Sequence, residues 1–296
     1  MKPTADAQLD PGRARQKYDH LVAHLRTAKR VAVAFSGGVD SSLLLHAARE
    51  AHAADAVCAI HARSPLYCSR EREAARAIAE MLAVRLLQVD SDALDDTHVR
   101  HNQPDRCYHC KLHSFRLIRA VAREEGCTLI VEGCNVDDVD DYRPGMRAIR
   151  ELGIESPLRE AGLTKQEIRW LAREKGLPNW DEPAMACLAS RIPYGREITA
   201  DRLRRIDAAE EAVRAFGVRL VRVRDHGSVA RIEVAPDAIA RLLAPEAARA
   251  LVARLRQLGF QHVALDLEGY RMGAMNASLP VSTRVAEAMG RQDHAR

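Results

Sequence analysis

The stretch VAVAFSGGVDSSLLLHAA, residues 31–48, constrains the fold of this chain more than any other. Val31 to Phe35 form an apolar run of strand length, and from Leu43 to Ala48 the chain is apolar again with helical spacing. Between them, Ser36-Gly37-Gly38-Val39-Asp40-Ser41-Ser42 has to turn the backbone. Two glycines let backbone N–H groups approach a ligand closely, and a helix starting near Ser41 aims the positive end of its dipole at the same point. The hydroxyls of Ser36, Ser41 and Ser42 add donors. The turn reads as a phosphate cradle; the plainer alternative is a strand-to-helix turn that happens to contain two glycines. The patterns G-x-x-x-x-G-K-[ST] and G-x-G-x-x-G are both absent, which disfavours kinase-like and dinucleotide-binding readings.

The surrounding pattern extends the same fold. An amphipathic opening helix carries Tyr18, Leu21, Val22 and Leu25 on one face. Strand-like runs at Ala56 to His61, Val84 to Val89 and Thr128 to Glu132 alternate with helix-like runs at Ser69 to Leu82 and Lys111 to Glu125. Strands alternating with helices predict an α/β protein with a parallel sheet covered on both faces, whose ligands bind at the carboxyl ends of the strands. A capping box, Thr164 with Glu167, opens a helix ending near Gly176-Leu177-Pro178. After a polar, Pro-bearing segment (Asn179 to Glu197), a second unit begins near Thr199. It has a helix to about Phe216, strands at Arg219 to Arg224 and Ala230 to Val234, helices from Pro236 to Leu258 and a last strand at His262 to Leu267. A chain of 296 residues suits such a pair of units, placed here at residues 1–190 and 191–296. The net charge of +4 is no nucleic-acid signature by itself. No apolar run reaches membrane-spanning length and the polar N-terminus has no signal-peptide core, so a cytoplasmic protein without membrane contact is expected.

In a reducing compartment, seven cysteines read as free thiols, metal ligands or catalytic groups. Cys107 and Cys110 form a C-x-x-C at a loop entering a helix, where two thiolates can bind one metal centre and Cys187 can supply a third ligand. A redox pair, or a zinc site completed by His109 or His113, stays open beside that reading. Cys58 and Cys127 read as core residues, while Cys68 and Cys134 stay unassigned. Asp137, Asp138, Asp140 and Asp141 crowd the end of a strand, which suits Mg²⁺ held with phosphates or, more plainly, a solvated acidic loop.

The run S-G-G-V-D-S resembles the signature of the N-type ATP pyrophosphatases, the PP-loop superfamily, which cleave ATP between the α and β phosphates and adenylylate a substrate oxygen. The resemblance implies pyrophosphate or Mg²⁺ contacts from Ser36, Gly37, Gly38, Val39, Asp40 and Ser41. The segment Gly133-Cys134-Asn135-Val136-Asp137-Asp138 is similar to a second superfamily motif and adds Asp137 and Asp138. Arg143, in D-Y-R-P-G, is a candidate for an anionic substrate group.

Longer motifs narrow the match. Asn179-Trp180, Ala186-Cys187-Leu188-Ala189-Ser190-Arg191-Ile192-Pro193-Tyr194-Gly195, the V-R-V-R of residues 221–224, Ala230-Arg231-Ile232-Glu233 and the late L-D-L-E-G-Y-R-M-G-A-M-N together resemble the LarE family of sulfur transferases, from about residue 15 to 280. That resemblance implies a substrate, pyridinium-3,5-biscarboxylic acid mononucleotide, whose carboxylates are adenylylated and converted to thiocarboxylates for the nickel-pincer cofactor of lactate racemase. It implies ATP and Mg²⁺ as cofactors, Ser190, Arg191, Arg222 and Arg224 as contacts to substrate phosphate or carboxylate, and Glu210 and Glu233 near sulfur transfer. Taken singly, such arginines and glutamates are more often solvated pairs. One branch of the family sacrifices its own cysteine, at the position held here by Ala186. The other binds a [4Fe–4S] cluster through three cysteines matching Cys107, Cys110 and Cys187, so the expected sulfur comes from sulfide or another donor through a cluster. A homo-oligomer is expected. A cluster-dependent tRNA thiolase, which would bind nucleic acid, and a non-catalytic ATP-binding protein are the competing readings.

Overall fold

A computed structural model of the chain describes residues 9–139 and 144–271. In chain order the first unit runs α1 (Pro11–Leu25), β1 (Val31–Ala34), α2 (Val39–Ala51), β2 (Val57–Arg63), α3 (Ser69–Met81), β3 (Arg85–Asp90), α4 (Thr97–Arg100), α5 (Arg106–Glu124), β4 (Leu129–Val131), α6 (Gly145–Glu151), α7 (Pro157–Glu160) and α8 (Lys165–Glu174). Its four strands are parallel, in the order β3-β2-β1-β4, with Val31 opposite both Val57 and Leu129.

The strand alternation divides the core in two, because successive side chains point to opposite faces. Val31 and Val33, with Val57 and Ala59, join Leu43 and Leu44 of α2, Tyr18 and Leu21 of α1, Ile78 of α3 and Leu171 of α8. Ala32, Cys58 and Ile60 face the other way, onto Ile118 and Ala122 of α5. Covering both faces is the arrangement an all-parallel sheet requires, and the expected α/β class holds.

The second unit comprises α9 (Ala200–Arg214), β5 (Val221–Asp225), β6 (Val229–Val234), α10 (Pro236–Leu243), α11 (Pro245–Gln257) and β7 (His262–Leu265). Its sheet has the order β5-β6-β7, antiparallel then parallel. The helices expected from Pro236 to Leu258 are the two found, parted where Ala244 is extended (ψ 133°) before Pro245.

A third cluster joins the units: Leu66 and Ala93, from the segments after β2 and β3, and Val99 of α4 pack with Leu188, Ile192, Ile198, Leu203 and Ile206, and Cys110, Met185 and Cys187 lie against it. Asn102 seals the junction by donating to Ile192 O (3.0 Å) and Pro193 O (2.8 Å). One expectation is corrected here. Helix α5 begins at Arg106, so Cys107 and Cys110 lie inside its first turns and not in a preceding loop. The apolar periodicity starts only at Leu112, and the polar residues before it concealed the helix start.

Candidate active site

The phosphate-type turn lies at the carboxyl end of β1. Gly37 has φ +81°, and a Cβ there would sit 2.6 Å from the backbone nitrogen of Ala75, so both conformation and space demand glycine. Gly38 occupies the N-cap of α2 with no side chain capping it, so N–H groups of the first turn remain directed at the turn. Ser36 Oγ lies 3.1 Å from Ser41 Oγ and accepts from Gly38 N–H at 3.3 Å. Asn179 ties this turn to the inter-unit segment, donating to Gly37 O (2.8 Å) and Ser42 Oγ (3.0 Å).

The lysine missing from the loop arrives from α8. Lys165 Nζ, 125 residues along the chain, forms an ion pair with Asp40. Asn135 Nδ2 donates to the other Asp40 oxygen at 3.2 Å. Burial pushes the Asp40 carboxyl above its ordinary range, Lys165 opposes that shift and the charge of Asp138 reinforces it. Asp137 is turned elsewhere: its carboxylate accepts from Lys165 N–H at 2.6 Å, at the start of α8.

Residues 36–40 of the turn, Lys165 and Asn179 border a cleft of about 320 Å³ that opens between the two units. Ser36, Gly37, Gly38, Val39 and Asp40 form one wall; Cys68 and Glu71, from the start of α3, stand beside them. Ala186, Arg191, Arg214 and Arg222 come from the other side. Of the expected site residues, Ser41, Asp137, Asp138, Ser190, Glu210, Arg224, Glu233 and the three cysteines do not border this space. They lie behind it or beside it. Arg143 lies outside the described residues.

The arginines divide by what they already hold. Arg191 Nε and Nη2 donate to the two oxygens of Glu210 at 2.7 and 3.0 Å, while Nη1 reaches Ala186 O (2.7 Å), Cys187 O (3.0 Å) and Ser190 Oγ (2.8 Å). Burial opposes ionisation of Glu210, but Arg191, Arg222 and Arg214 outweigh it and hold its carboxyl below the usual range. Arg224 is likewise engaged with Glu233 (2.9 and 2.6 Å) and with Ser190 O (2.7 Å). Arg222 differs. Its guanidinium donates to Val221 O and Ala184 O and lies over the ring of Tyr270 (5.1 Å). Among the described residues no carboxylate lies within ion-pair distance of it, and burial lowers its pKa. A buried guanidinium without a paired anion, facing a cleft, is suited to an anionic ligand group.

The thiols of Cys107, Cys110 and Cys187 meet electrostatically at the junction. Burial, then Cys187 and Cys107, push Cys110 up to about 12; burial above all pushes Cys187 up to about 11, with Arg106 opposing. Tyr67 opposes the rise at Cys110. The trio is not among the groups whose ligand atoms lie within 4.8 Å of one another, whereas sulfurs around a single tetrahedral ion, with metal–sulfur bonds of about 2.3 Å, are closer than that. His109 is not directed to this group; it belongs to a His/Asp cluster on the outer side of α5.

Sequence reasoning missed Lys165, Glu71 and Arg214, and it met Asn179 only within the Asn179-Trp180 motif, without a role in the site. Only the position of Lys165 in a capping box drew attention to it, and that box is present. Glu71 makes a prediction of its own. It is 7% exposed, and burial alone raises its carboxyl from 4.5 to about 8. The unfolded chain gives up this proton near 4.5 while the folded chain keeps it to about 8, so stability falls as pH rises through that window, by up to about 5 kcal/mol. Glu71→Gln is expected to flatten this slope and to raise the melting temperature at pH 8, measured by thermal unfolding between pH 5 and 8. An unchanged slope would contradict the buried, unpaired carboxyl.

A family profile for the PP-loop domain matches residues 12–143. Over 259 residues, 88% of this chain and 93% of the relative, the chain is 39% identical to the pyridinium-3,5-bisthiocarboxylic acid mononucleotide synthase of Lactiplantibacillus plantarum. It is 38% identical over 263 residues to an uncharacterized protein of Synechocystis, covering 89% of this chain and 98% of that one. Argininosuccinate synthase of Haloarcula marismortui is 31% identical over 160 residues, half of this chain and 37% of the relative. Among the described residues no helix is long and apolar enough to cross a membrane. With the phosphate turn at the end of β1, the cleft between the units and a likeness running through both, the chain belongs to the LarE family, the sulfurtransferase family within the PP-loop ATP pyrophosphatases.

Proposed function

We propose that the chain converts the carboxylates of pyridinium-3,5-biscarboxylic acid mononucleotide to thiocarboxylates in nickel-pincer cofactor synthesis, with a [4Fe–4S] cluster on Cys107, Cys110 and Cys187 in the delivery of sulfur. The observation that carries the reading is that one cleft borders both the phosphate turn and Ala186, Arg191 and Arg222. Residues 1–190 would bind ATP, and residues 191–296 would hold the acceptor.

The β and γ phosphates of ATP would lie on the first-turn N–H groups of α2 and on Ser36 and Ser41, with Asp40 and Asp138 as ligands for Mg²⁺ and Lys165 balancing the charge. Preorganised donors of this kind stabilise the negative charge that accumulates on the departing pyrophosphate. A substrate carboxylate oxygen attacks the α phosphorus; the bond to the β-phosphate oxygen breaks, and pyrophosphate leaves with the electron pair. Arg222 would hold the substrate's phosphate, which presents the ring carboxylate to that phosphorus. Sulfur at the sulfide level then forms a bond to the acyl carbon, and AMP departs with the electrons of the broken C–O bond. A carboxylate is a poor acyl donor and an acyl adenylate a good one, so the two steps belong together. Arg191 and Glu210 act as positioning residues, fixing the turn from Ala186 to Ser190.

Three cysteine ligands leave one iron of a cubane cluster free for an exogenous ligand such as sulfide, which is the chemistry the group supplies when bound. Ala186 supports a route that leaves the protein's own sulfur intact. Anaerobic reconstitution followed by turnover with sulfide tests this. About four iron atoms per chain, thiocarboxylate product and an unchanged protein mass are expected. The triple Cys→Ala variant is expected to lose both iron and product. Equal iron in the two proteins, or a dehydroalanine in the chain after turnover, would contradict it.

A further inference from the structure

Outside the cleft, the outer side of α5 carries a cluster that the sulfur-transfer reading does not use. His98, on α4, and His109, in the second turn of α5, stack with ring centroids 4.0 Å apart and planes 16° from parallel. Asp105, just before α5, reaches both: its Oδ2 lies 3.6 Å from His98 Nδ1 and 3.3 Å from His109 Nε2. One ligand atom from each of the three lies within 4.8 Å of the other two.

A second carboxylate stands behind the first histidine pair. Asp96 Oδ2 lies 3.5 Å from His109 Nδ1 and 3.2 Å from His113 Nε2. Its other oxygen is pinned as the N-cap acceptor of α4, taking His98 N–H at 2.8 Å. Asp96 Oδ2 is hydrogen-bonded to His113 Nε2, and its charge beside His109 Nδ1 favours a proton on that nitrogen, with Nε2 turned toward Asp105. This carboxylate–histidine arrangement is the one that orients metal-ligating imidazoles and raises their basicity.

We propose that His98, Asp105 and His109 form a binding site for one divalent first-row transition ion, separate from the three thiols, with Asp96 as its outer-shell orienting residue. Two imidazole nitrogens and one carboxylate oxygen make a donor set suited to Zn²⁺, Co²⁺ or Ni²⁺ and a poor one for Mg²⁺, which takes oxygen ligands. The His98 and Asp105 side chains are 51% and 47% exposed, so water can complete the coordination shell and the ion can exchange with solvent. A bound ion would tie α4 to the first turns of α5, the turns that carry Cys107 and Cys110. The proposal stands independently of the sulfur-transfer reading, because it uses none of the residues assigned to that reaction.

Zn²⁺ is the probe, and equilibrium dialysis of the full chain carrying Cys107→Ser, Cys110→Ser and Cys187→Ser removes the competing thiols. The expected result is one equivalent of Zn²⁺, lost in the added His98→Ala/His109→Ala pair, weakened roughly 10- to 100-fold by Asp96→Asn, and retained in His24→Ala. The last variant discriminates against the group His24, Glu155 and Glu160, which also gathers three ligand atoms. Co²⁺ in the wild-type chain gives a reading independent of the cysteine substitutions: absorption from nitrogen and oxygen ligation that disappears in His98→Ala/His109→Ala while any sulfur-to-cobalt band persists. The proposal is overturned if the triple-serine chain binds no stoichiometric Zn²⁺, if binding survives loss of both histidines, if it follows His24, or if the cobalt spectrum does not change in the double histidine variant.

Discussion

Gly37→Ala is expected to reduce pyrophosphate release by about 10²- to 10³-fold, the scale of losing a preorganised donor at a site of developing charge. At φ +81° an alanine pays the left-handed penalty of about 1–2 kcal/mol. Its methyl group would also stand 2.6 Å from the backbone nitrogen of Ala75, an atom fixed within α3. The turn has to move. When it does, Asn179 loses its acceptor at Gly37 O and the first-turn N–H groups of α2 no longer converge on one point. Steady-state pyrophosphate assays with saturating ATP check this, and a variant that retains wild-type turnover would show that the turn does not hold the phosphates. Circular dichroism separates that loss from unfolding, because the strain is confined to one loop.

The second large effect is on stability. Glu210 is fully buried and forms a two-point ion pair with Arg191, while also accepting Val223 N–H at 3.1 Å. Glu210→Ala leaves Arg191 buried without its carboxylate and Arg222 without the nearby negative charge that offsets its burial. Breaking a buried pair from one side costs about 3–5 kcal/mol, which for a chain of this size corresponds to a fall in melting temperature of roughly 6–20 °C. Replacing both partners by apolar residues removes the stranded charge, so Arg191→Met/Glu210→Leu should regain part of the loss. Calorimetry of the two variants checks both statements. A single substitution that leaves the melting temperature unchanged would mean that the pair does not fasten the Ala186–Ser190 turn to α9.

The phosphate turn and the parallel sheet were legible in the sequence because their causes are local. Glycines 37 and 38, the strand before them and the helix after them lie close together in the chain, and the alternation of strand-like and helix-like runs announces the parallel sheet. The likeness to a sulfurtransferase family was equally legible, resting on contiguous motifs. What escaped was whatever depends on one side chain reaching another across the fold. Lys165 reads as part of a capping box, and nothing local says that its ammonium will meet Asp40, 125 residues away. Asn179 reads as part of a polar connection, yet its amide donates to the glycine loop 142 residues earlier. The arginines illustrate the same limit: Arg191, Arg222 and Arg224 look alike in sequence, but only the packed structure shows Glu210 on the first, Glu233 on the third and backbone carbonyls on the second. Glu71 falls in the helix-like run from Ser69 to Leu82 with nothing local to set it apart, whereas at the start of α3 it lines the cleft.

The order of events is the central claim: ATP is split at the α–β bond only when a carboxylate is present to take the AMP. The most direct measurement is pyrophosphate release by the anaerobically prepared protein with Mg²⁺, ATP and the pyridinium dicarboxylate mononucleotide, with sulfide withheld. The account predicts substrate-dependent pyrophosphate together with an adenylylated pyridinium species, and little release with ATP alone. Release of ADP and inorganic phosphate instead, or no pyrophosphate when substrate and ATP are both present, would contradict it.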